Sequence, residues 1–288
     1  MIDWVEAVFS GGIHVASDHQ RILILCKTYP SPSARYVETS CVAGMADDGR
    51  LIRLFPVPFR LVEDDQQFKK WQWINARVRR AQDDARPESH RVSVDTIEVE
   101  GDPLPTRDHW IARREVIKGV PVFDSYDALE ASRQASGTTL GLVRPSRLLG
   151  LDIKAVDSSD WTEDELAKLL QEQQQGSLFD AVEDQRTLKT LKKLPYDFHY
   201  RYECHTPEGV KPFKHKLVDW EAGALYWNVH RRADWQEAMR HKFVTQFSEL
   251  DVMFLMGTIH RFPGQWLIVS VLYPPKLPET LVRQKTLF

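Results

Sequence analysis

The sequence predicts an α+β protein in two parts: an N-terminal small β-barrel domain with helical additions, then a C-terminal antiparallel sheet with two helices. Three observations carry this. Short apolar segments separated by turn residues run from Arg21 to Val156, the pattern of a barrel rather than of long helices. An acidic, glutamine-rich stretch over 157–184 interrupts the chain. After Leu194 the periodicities follow the order β-α-α-β-β, which suits hairpins backed by helices.

The elements follow in order. Residues 1–18 form an extension with a short helical pattern around Trp4, Val8 and Phe9, closed by Gly11-Gly12. Arg21–Lys27 is a Leu/Ile-rich strand, followed by a polar, proline-punctuated loop. Asp47-Asp48-Gly49-Arg50 between two apolar runs predicts a hairpin. Trp73–Arg80 alternates Ile74, Ala76 and Val78 with Asn75, Arg77 and Arg79, a strand with one buried face. Val92–Glu100 reads as a further strand, 108–117 and 126–135 as short helices, and Leu140–Val156 as β again, with Ser125 placed to cap the second helix. The predicted barrel domain therefore covers 19–156, and a linker with one helix covers 157–193.

Over 157–184 nine acids face one lysine, and Thr162 with Glu165 forms a capping box. In the second domain, 194–277, Phe198, Tyr200, Tyr202 and Cys204 alternate with polar residues. Asp219–His230 and Asp234–Leu250 read as helices, the second with a box-like Asp234/Glu237 start. Val252–His260 and Trp266–Tyr273 form a hairpin, and Pro274, Pro275 and Pro278 stop the last strand before a tail, 278–288.

Composition bounds the function. The chain has 288 residues, 42% apolar and 27% charged, with a net charge of −3. That is the balance of a folded protein of about two domains, and any contact with nucleic acid must come from a local patch. Three cysteines, Cys26, Cys41 and Cys204, are too few and too scattered for a disulfide framework and point to a reducing compartment. The N-terminus has no basic segment before an apolar one, and no apolar run approaches a membrane span. The expectation is a cytoplasmic protein with no membrane partner.

The sequence contains no phosphate-cradling GxxxxGK[ST] loop, no GxGxxG, no GxSxG and no HExxH, so no cofactor is expected. Cys204, His205 and His215 are the nearest approach to a metal set, but adjacent strand residues point to opposite faces, so no metal is expected either. Asp219 and Glu221 flank Trp220 at a helix start. Capping and the helix dipole account for both. A nuclease or another nucleic-acid-processing hydrolase, with Asp219, Glu221 and His260 as its catalytic set, is the alternative reading. A nucleotide-sensing defence protein, with a cleft between the domains, is another.

A basic patch carries the preferred reading. Between Phe68 and Arg91 seven cations face three acids, with aromatics among them. Lys69, Lys70, Arg77 and Arg79 suit phosphate, and Trp71 and Trp73 suit stacked bases, the combination by which OB-like barrels hold single strands. The hairpin Cys41-Val42-Ala43-Gly44…Gly49-Arg50-Leu51-Ile52-Arg53-Leu54 resembles that of a family of uncharacterised bacterial OB-containing proteins. Asp219-Trp220-Glu221 and Gly257–Pro263 are similar to segments of bacterial chains associated with mobile elements and phage defence. The resemblance implies an OB-like first domain and a mobile-element or antiviral setting, and it brings no catalytic residues.

Two peptides share the form Gln-x-x-Leu-Phe: Gln284, Leu287 and Phe288 in the tail, and Gln175, Leu178 and Phe179 in the linker. Both resemble the peptides by which bacterial DNA polymerases and repair proteins bind the sliding clamp, although Gly176 and Lys285 stand where such peptides often carry Leu. Burying the Leu and Phe side chains supplies roughly 3–6 kcal/mol before ordering costs. The expectation is a non-catalytic, DNA-associated adaptor. It contacts single-stranded or distorted DNA through the patch and docks on a partner such as the clamp through the tail.

Overall fold

The computed structural model describes residues 18–29, 40–57, 67–157, 193–260 and 262–278. The N-terminal extension, the linker helix and both docking peptides lie outside them. The apolar run Ile22–Leu25 in β1 (Asp18–Lys27) has no polar alternation because the strand is buried on both sides. Ile22 and Ile24 enter a barrel core with Leu54, Phe68, Ile74 and Val78. Leu23 and Leu25 point outward into a second core with Leu140, Leu142, Met253 and Leu255.

β2 (Ser40–Ala46) and β3 (Leu51–Val57) form the expected hairpin, with Asp48 Oδ1 accepting from Arg50 N at 3.0 Å in the turn. At Gly44 a side chain has no room, since a Cβ there would lie 2.4 Å from the Leu23 carbonyl oxygen. β4 (Trp73–Arg80), β5 (Ser89–Val92) and β6 (Glu98–Glu100) follow. The single strand expected over Val92–Glu100 is broken by a 3-10 turn, Val94–Thr96, held by Thr96 Oγ1 donating to the Ser93 carbonyl at 2.6 Å. The strand order is β1-β2-β3-β5-β4, with β4 pairing back on β1 through Ile22↔Ile74 and β3 parallel to β5. The result is a closed, OB-like five-strand barrel, to which β6 adds an outer strand on β4.

α1 (Arg107–Ile117) opens with three left-handed residues, Asp108, His109 and Trp110, at φ 54°, 54° and 63°. β7 (Val122–Phe123) precedes α2 (Tyr126–Ser136), where Ser125 Oγ accepts from Ala128 N at 3.1 Å, the predicted cap. β8 (Leu140–Val143) and β9 (Arg147–Ala155) then leave the barrel. They join β10 (Tyr196–Thr206), β11 (Gly209–Leu217), β12 (Met253–Ile259) and β13 (Phe262–Leu272) in a seven-stranded sheet of order β7-β8-β12-β13-β11-β10-β9. Residues 122–155, read from the sequence as part of the barrel, therefore belong with the second sheet. Their apolar pattern marks buried strands but not which sheet they join. The sheet is mostly antiparallel, with parallel pairs at β7–β8 and β11–β13.

The helices α3 (Trp220–Val229) and α4 (Trp235–Arg240) cover it, and α4 runs on into a π-helical stretch, His241–Gln246. Asp234 does not cap α4 as predicted, because Arg232 holds its carboxylate at 2.7 and 2.9 Å. Three cores result: inside the barrel, between barrel and sheet, and between sheet and helices. No helix among the described residues is long and apolar enough to cross a membrane.

In the third core the Tyr202 hydroxyl lies 2.9 Å from His215 Nδ1, and burial lowers the histidine to about 4. A histidine neutral in the fold contributes stability above its unfolded value near 6.5, and that contribution is lost as pH falls toward 4. The loss is at most about 3 kcal/mol. Urea midpoints measured between pH 7 and 4 should fall more steeply for the wild type than for His215→Gln. Parallel curves would remove this assignment.

Candidate functional site

The boundary between barrel and sheet gathers Lys70, Asp219 and Glu221. Asp219 is 3% exposed. Its Oδ1 accepts from Glu221 N at 2.9 Å, capping α3, while Oδ2 accepts from Ser270 Oγ at 3.0 Å and Val271 N at 2.9 Å. This carboxylate ties a helix start to β13. Lys70 approaches from the barrel. Its Nζ donates to the Val271 carbonyl at 2.9 Å and lies 3.3 Å from Glu221 Oε1 and 3.7 Å from Asp219 Oδ2. Burial works against the Lys70 charge, but Asp219 and Glu221 outweigh it and hold its pKa above the ordinary lysine value. Burial also raises the Glu221 carboxyl, and Lys70 offsets this only in part. The Glu221 side chain remains 39% exposed. Beside it, burial lowers Lys27 to about 8 despite Glu221. The Lys27 ammonium donates to the Phe68 carbonyl at 3.1 Å and lies 5.9 Å from the Trp220 ring.

The basic patch divides. Lys69, Arg77 and Arg79 are exposed. Lys70 is turned inward to the carboxylates, and Trp71 is core. Trp71 takes a left-handed backbone at φ 68°, which swings its ring away from the outer row of β4 and edge-on to Trp110, with centroids 5.8 Å apart. Arg113 lies over both rings, at 5.0 and 4.4 Å. Four non-glycine residues with positive φ, Trp71, Asp108, His109 and Trp110, thus meet at one place. Such strain persists only where surrounding contacts enforce it. Trp73 is half-buried, and the Arg21 guanidinium stacks on it at 4.1 Å. Lys70 and Trp71 therefore do not belong to a nucleic-acid surface, because the interface between the sheets takes both.

The alternative set Asp219, Glu221 and His260 is not brought together as a catalytic trio. His260 Nδ1 pairs with Asp84 Oδ1 at 3.1 Å, while Asp219 and Glu221 meet at Lys70. Burial would raise Asp84, but hydrogen bonds from Arg86 and Ser89 hold it well below the usual carboxylate range. Arg86 also donates to the Thr258 carbonyl at 2.6 Å, so the β4–β5 loop is clamped onto the β12–β13 hairpin. Next to this clamp, buried Arg53 donates to the Thr139 carbonyl at 3.0 Å. A groove of about 540 Å³ between barrel and sheet is lined by Gln20, Arg50, His90 and Phe123, among others.

Cys204 is buried and His205 exposed, as strand alternation requires, and among the described residues no cluster of His, Cys, Asp or Glu has metal-binding geometry. The gathering of Lys27, Arg113 and Tyr273 around Glu221 is not foreseen from the sequence. These residues are far apart in the chain and carry no motif. The only signal is the lysine that follows the apolar run Ile22–Cys26 of β1.

The outer face of β1 and β2, presenting Leu23, Leu25, Ala43 and Met45, is buried against the second sheet. In OB folds the strand 2–3 face is a usual ligand surface. Here the neighbouring part of that surface is covered, while exposed Arg77, Arg79 and Arg21 lie around the barrel on β4 and β1.

A family model described as "Domain of unknown function (DUF8758)" matches residues 18–119, the barrel and α1. No curated protein matches the chain. A second model, covering more than half the chain, begins where the strands change sheets: the chain belongs to the family described as "Domain of unknown function (DUF8757)", matched over residues 122–288.

Proposed function

We propose that the protein is a non-catalytic, nucleic-acid-associated adaptor. The observation that carries this reading is the outward row of β4, which ends in two exposed guanidiniums, Arg77 and Arg79, about 7 Å apart along the strand. On the adjacent β1, exposed His19 faces Arg77, while Arg21, opposite Asn75, is ion-paired with Glu100 at 2.7 Å. A cationic ridge of this kind on an OB-like barrel follows a phosphate backbone without reading sequence. Arg21-stacked Trp73 is the one aromatic left on it from the sequence-predicted set. Asp219, by contrast, uses both oxygens to hold the fold, which favours a binding role over hydrolysis.

The tail residues Gln284, Leu287 and Phe288 supply the second half of the reading, docking on a partner such as the sliding clamp at micromolar affinity, about −8 kcal/mol. The test uses the full chain and a labelled single-stranded oligonucleotide. Arg77→Glu with Arg79→Glu should weaken binding at least about tenfold and reduce the salt slope by about 2, with no change on adding EDTA. Unchanged affinity and slope would refute the DNA contact. Equal capture of purified clamp by the full chain and by a chain lacking 284–288 would refute the docking role.

A further inference from the structure

The β9 end of the second sheet carries a cationic cavity built from residues outside the interface cluster. β9 is the end strand among the described residues, and its Gly150 pairs with Arg201 of β10. Because Gly150 has no side chain, the Arg201 guanidinium lies across it, and a Cβ there would sit 2.6 Å from Arg201 Nη2. Asp152 fixes this pose by accepting from Arg201 Nε at 2.8 Å and, through its other oxygen, from Lys214 Nζ at 2.8 Å. Holding Arg201 by Nε leaves the Nη end of its fork directed elsewhere.

Arg240, the last residue of α4, reaches the same place. It is half-buried and has no carboxylate within ion-pair distance among the described residues. The chain then enters the π-helical stretch, where the Tyr200 hydroxyl donates to the Phe243 carbonyl at 2.6 Å. Val244 and Thr245 of this stretch line a cavity of about 320 Å³ with Gly150, Asp152, Arg201 and Arg240. π-turns are rare and recur at functional sites.

The charges do not balance locally. Among the described residues Arg201 and Lys214 share Asp152, and Arg240 lines the same cavity without a carboxylate of its own. The neighbouring Glu203 and Lys216 are engaged with Arg147 and Asp197. Counted over the described residues the surplus is two positive charges, and two guanidinium forks match a phosphate group in both shape and charge. We propose that this edge cavity binds a phosphate monoester, with Arg201 and Arg240 as its clamp. Two sources share that chemistry, a free nucleotide and the 5′-terminal phosphate of a nucleic acid. The site does not depend on the barrel reading.

Calorimetric titration of the full chain separates the cases, with AMP against adenosine in one arm and a 5′-phosphorylated against a 5′-hydroxyl oligonucleotide in the other. A phosphate-dependent gain is expected in at least one arm, AMP identifying a free nucleotide and the phosphorylated oligonucleotide alone identifying a strand end. Arg201→Gln and Arg240→Gln should each reduce that gain at least about tenfold. If a glutamine variant melts early, Arg240→Lys, which keeps the charge and stem but not the fork, is read in its place and should still bind several-fold more weakly. No preference for the phosphorylated probes, or a preference that survives in the variants, would overturn the proposal.

Discussion

Asp219→Ala is expected to destabilise the protein by about 3–5 kcal/mol. The wild-type carboxylate satisfies three donors in the interior: Glu221 N, Ser270 Oγ and Val271 N. Alanine removes a helix cap, worth about 1 kcal/mol alone. It also leaves a β13 amide and a hydroxyl without partners, at about 1–3 kcal/mol for each buried group. Among the described residues Lys70 is then left with Glu221 as its only carboxylate, a worse match for a buried ammonium. Asp219→Asn separates these contributions. Its amide oxygen can still serve one set of donors, so the loss should be smaller and should come chiefly from the missing charge opposite Lys70. Urea denaturation at neutral pH reads both variants, provided the slope is unchanged. A loss below about 1 kcal/mol for the alanine variant would mean that Asp219 is not a structural tie, and would return it to the pool of residues available for chemistry.

The parts of this arrangement that were legible in the sequence are those written locally. An apolar run without alternation announces β1 as buried on both faces, and Asp-Asp-Gly-Arg announces the β2–β3 turn. Ser125 and Asp219 both cap the helices they precede. What stayed hidden depends on partners distant in the chain. β8 reads correctly as a strand, but only its pairing with β12 assigns it to the second sheet. β11 carries no clear strand signal, because Pro212 and three lysines mask a strand whose inner face holds Phe213, His215 and Leu217. Lys69, Lys70 and Trp71 read as one basic aromatic patch. A left-handed backbone at Trp71 and two carboxylates from the other end of the chain divide it. The pair Arg201 and Arg240 carries no sequence signal, since its meaning comes from a glycine on the adjacent strand.

Glu88→Ala should produce a loss of similar size, about 3–5 kcal/mol, by loosening the opposite side of the same interface. Glu88 lies in the barrel, but its carboxylate serves the second sheet. Oε1 accepts from Thr139 N at 2.9 Å and from Leu140 N at 3.2 Å, and Oε2 accepts from Thr139 Oγ1. Thr139 in turn receives Arg53, which is 4% exposed and whose charge Glu88 and Asp84 help to support against burial. Removing the carboxylate leaves two amides at the start of β8 without acceptors and takes a counter-charge from a buried guanidinium. Glu88→Gln keeps an oxygen for the two amides and offers its amide group to Thr139 Oγ1, so it should lose only about 1 kcal/mol. Hydrogen exchange gives a local readout. In the alanine variant Thr139 and Leu140 amides should exchange faster than the amides of β12, which pairs with β8 and stays in the sheet. If those two amides keep their wild-type protection, the barrel is held to the sheet by the apolar core around Leu23, Leu142 and Leu255 rather than by this polar tie. In that case the loss in Glu88→Ala should also shrink to the level of the glutamine variant.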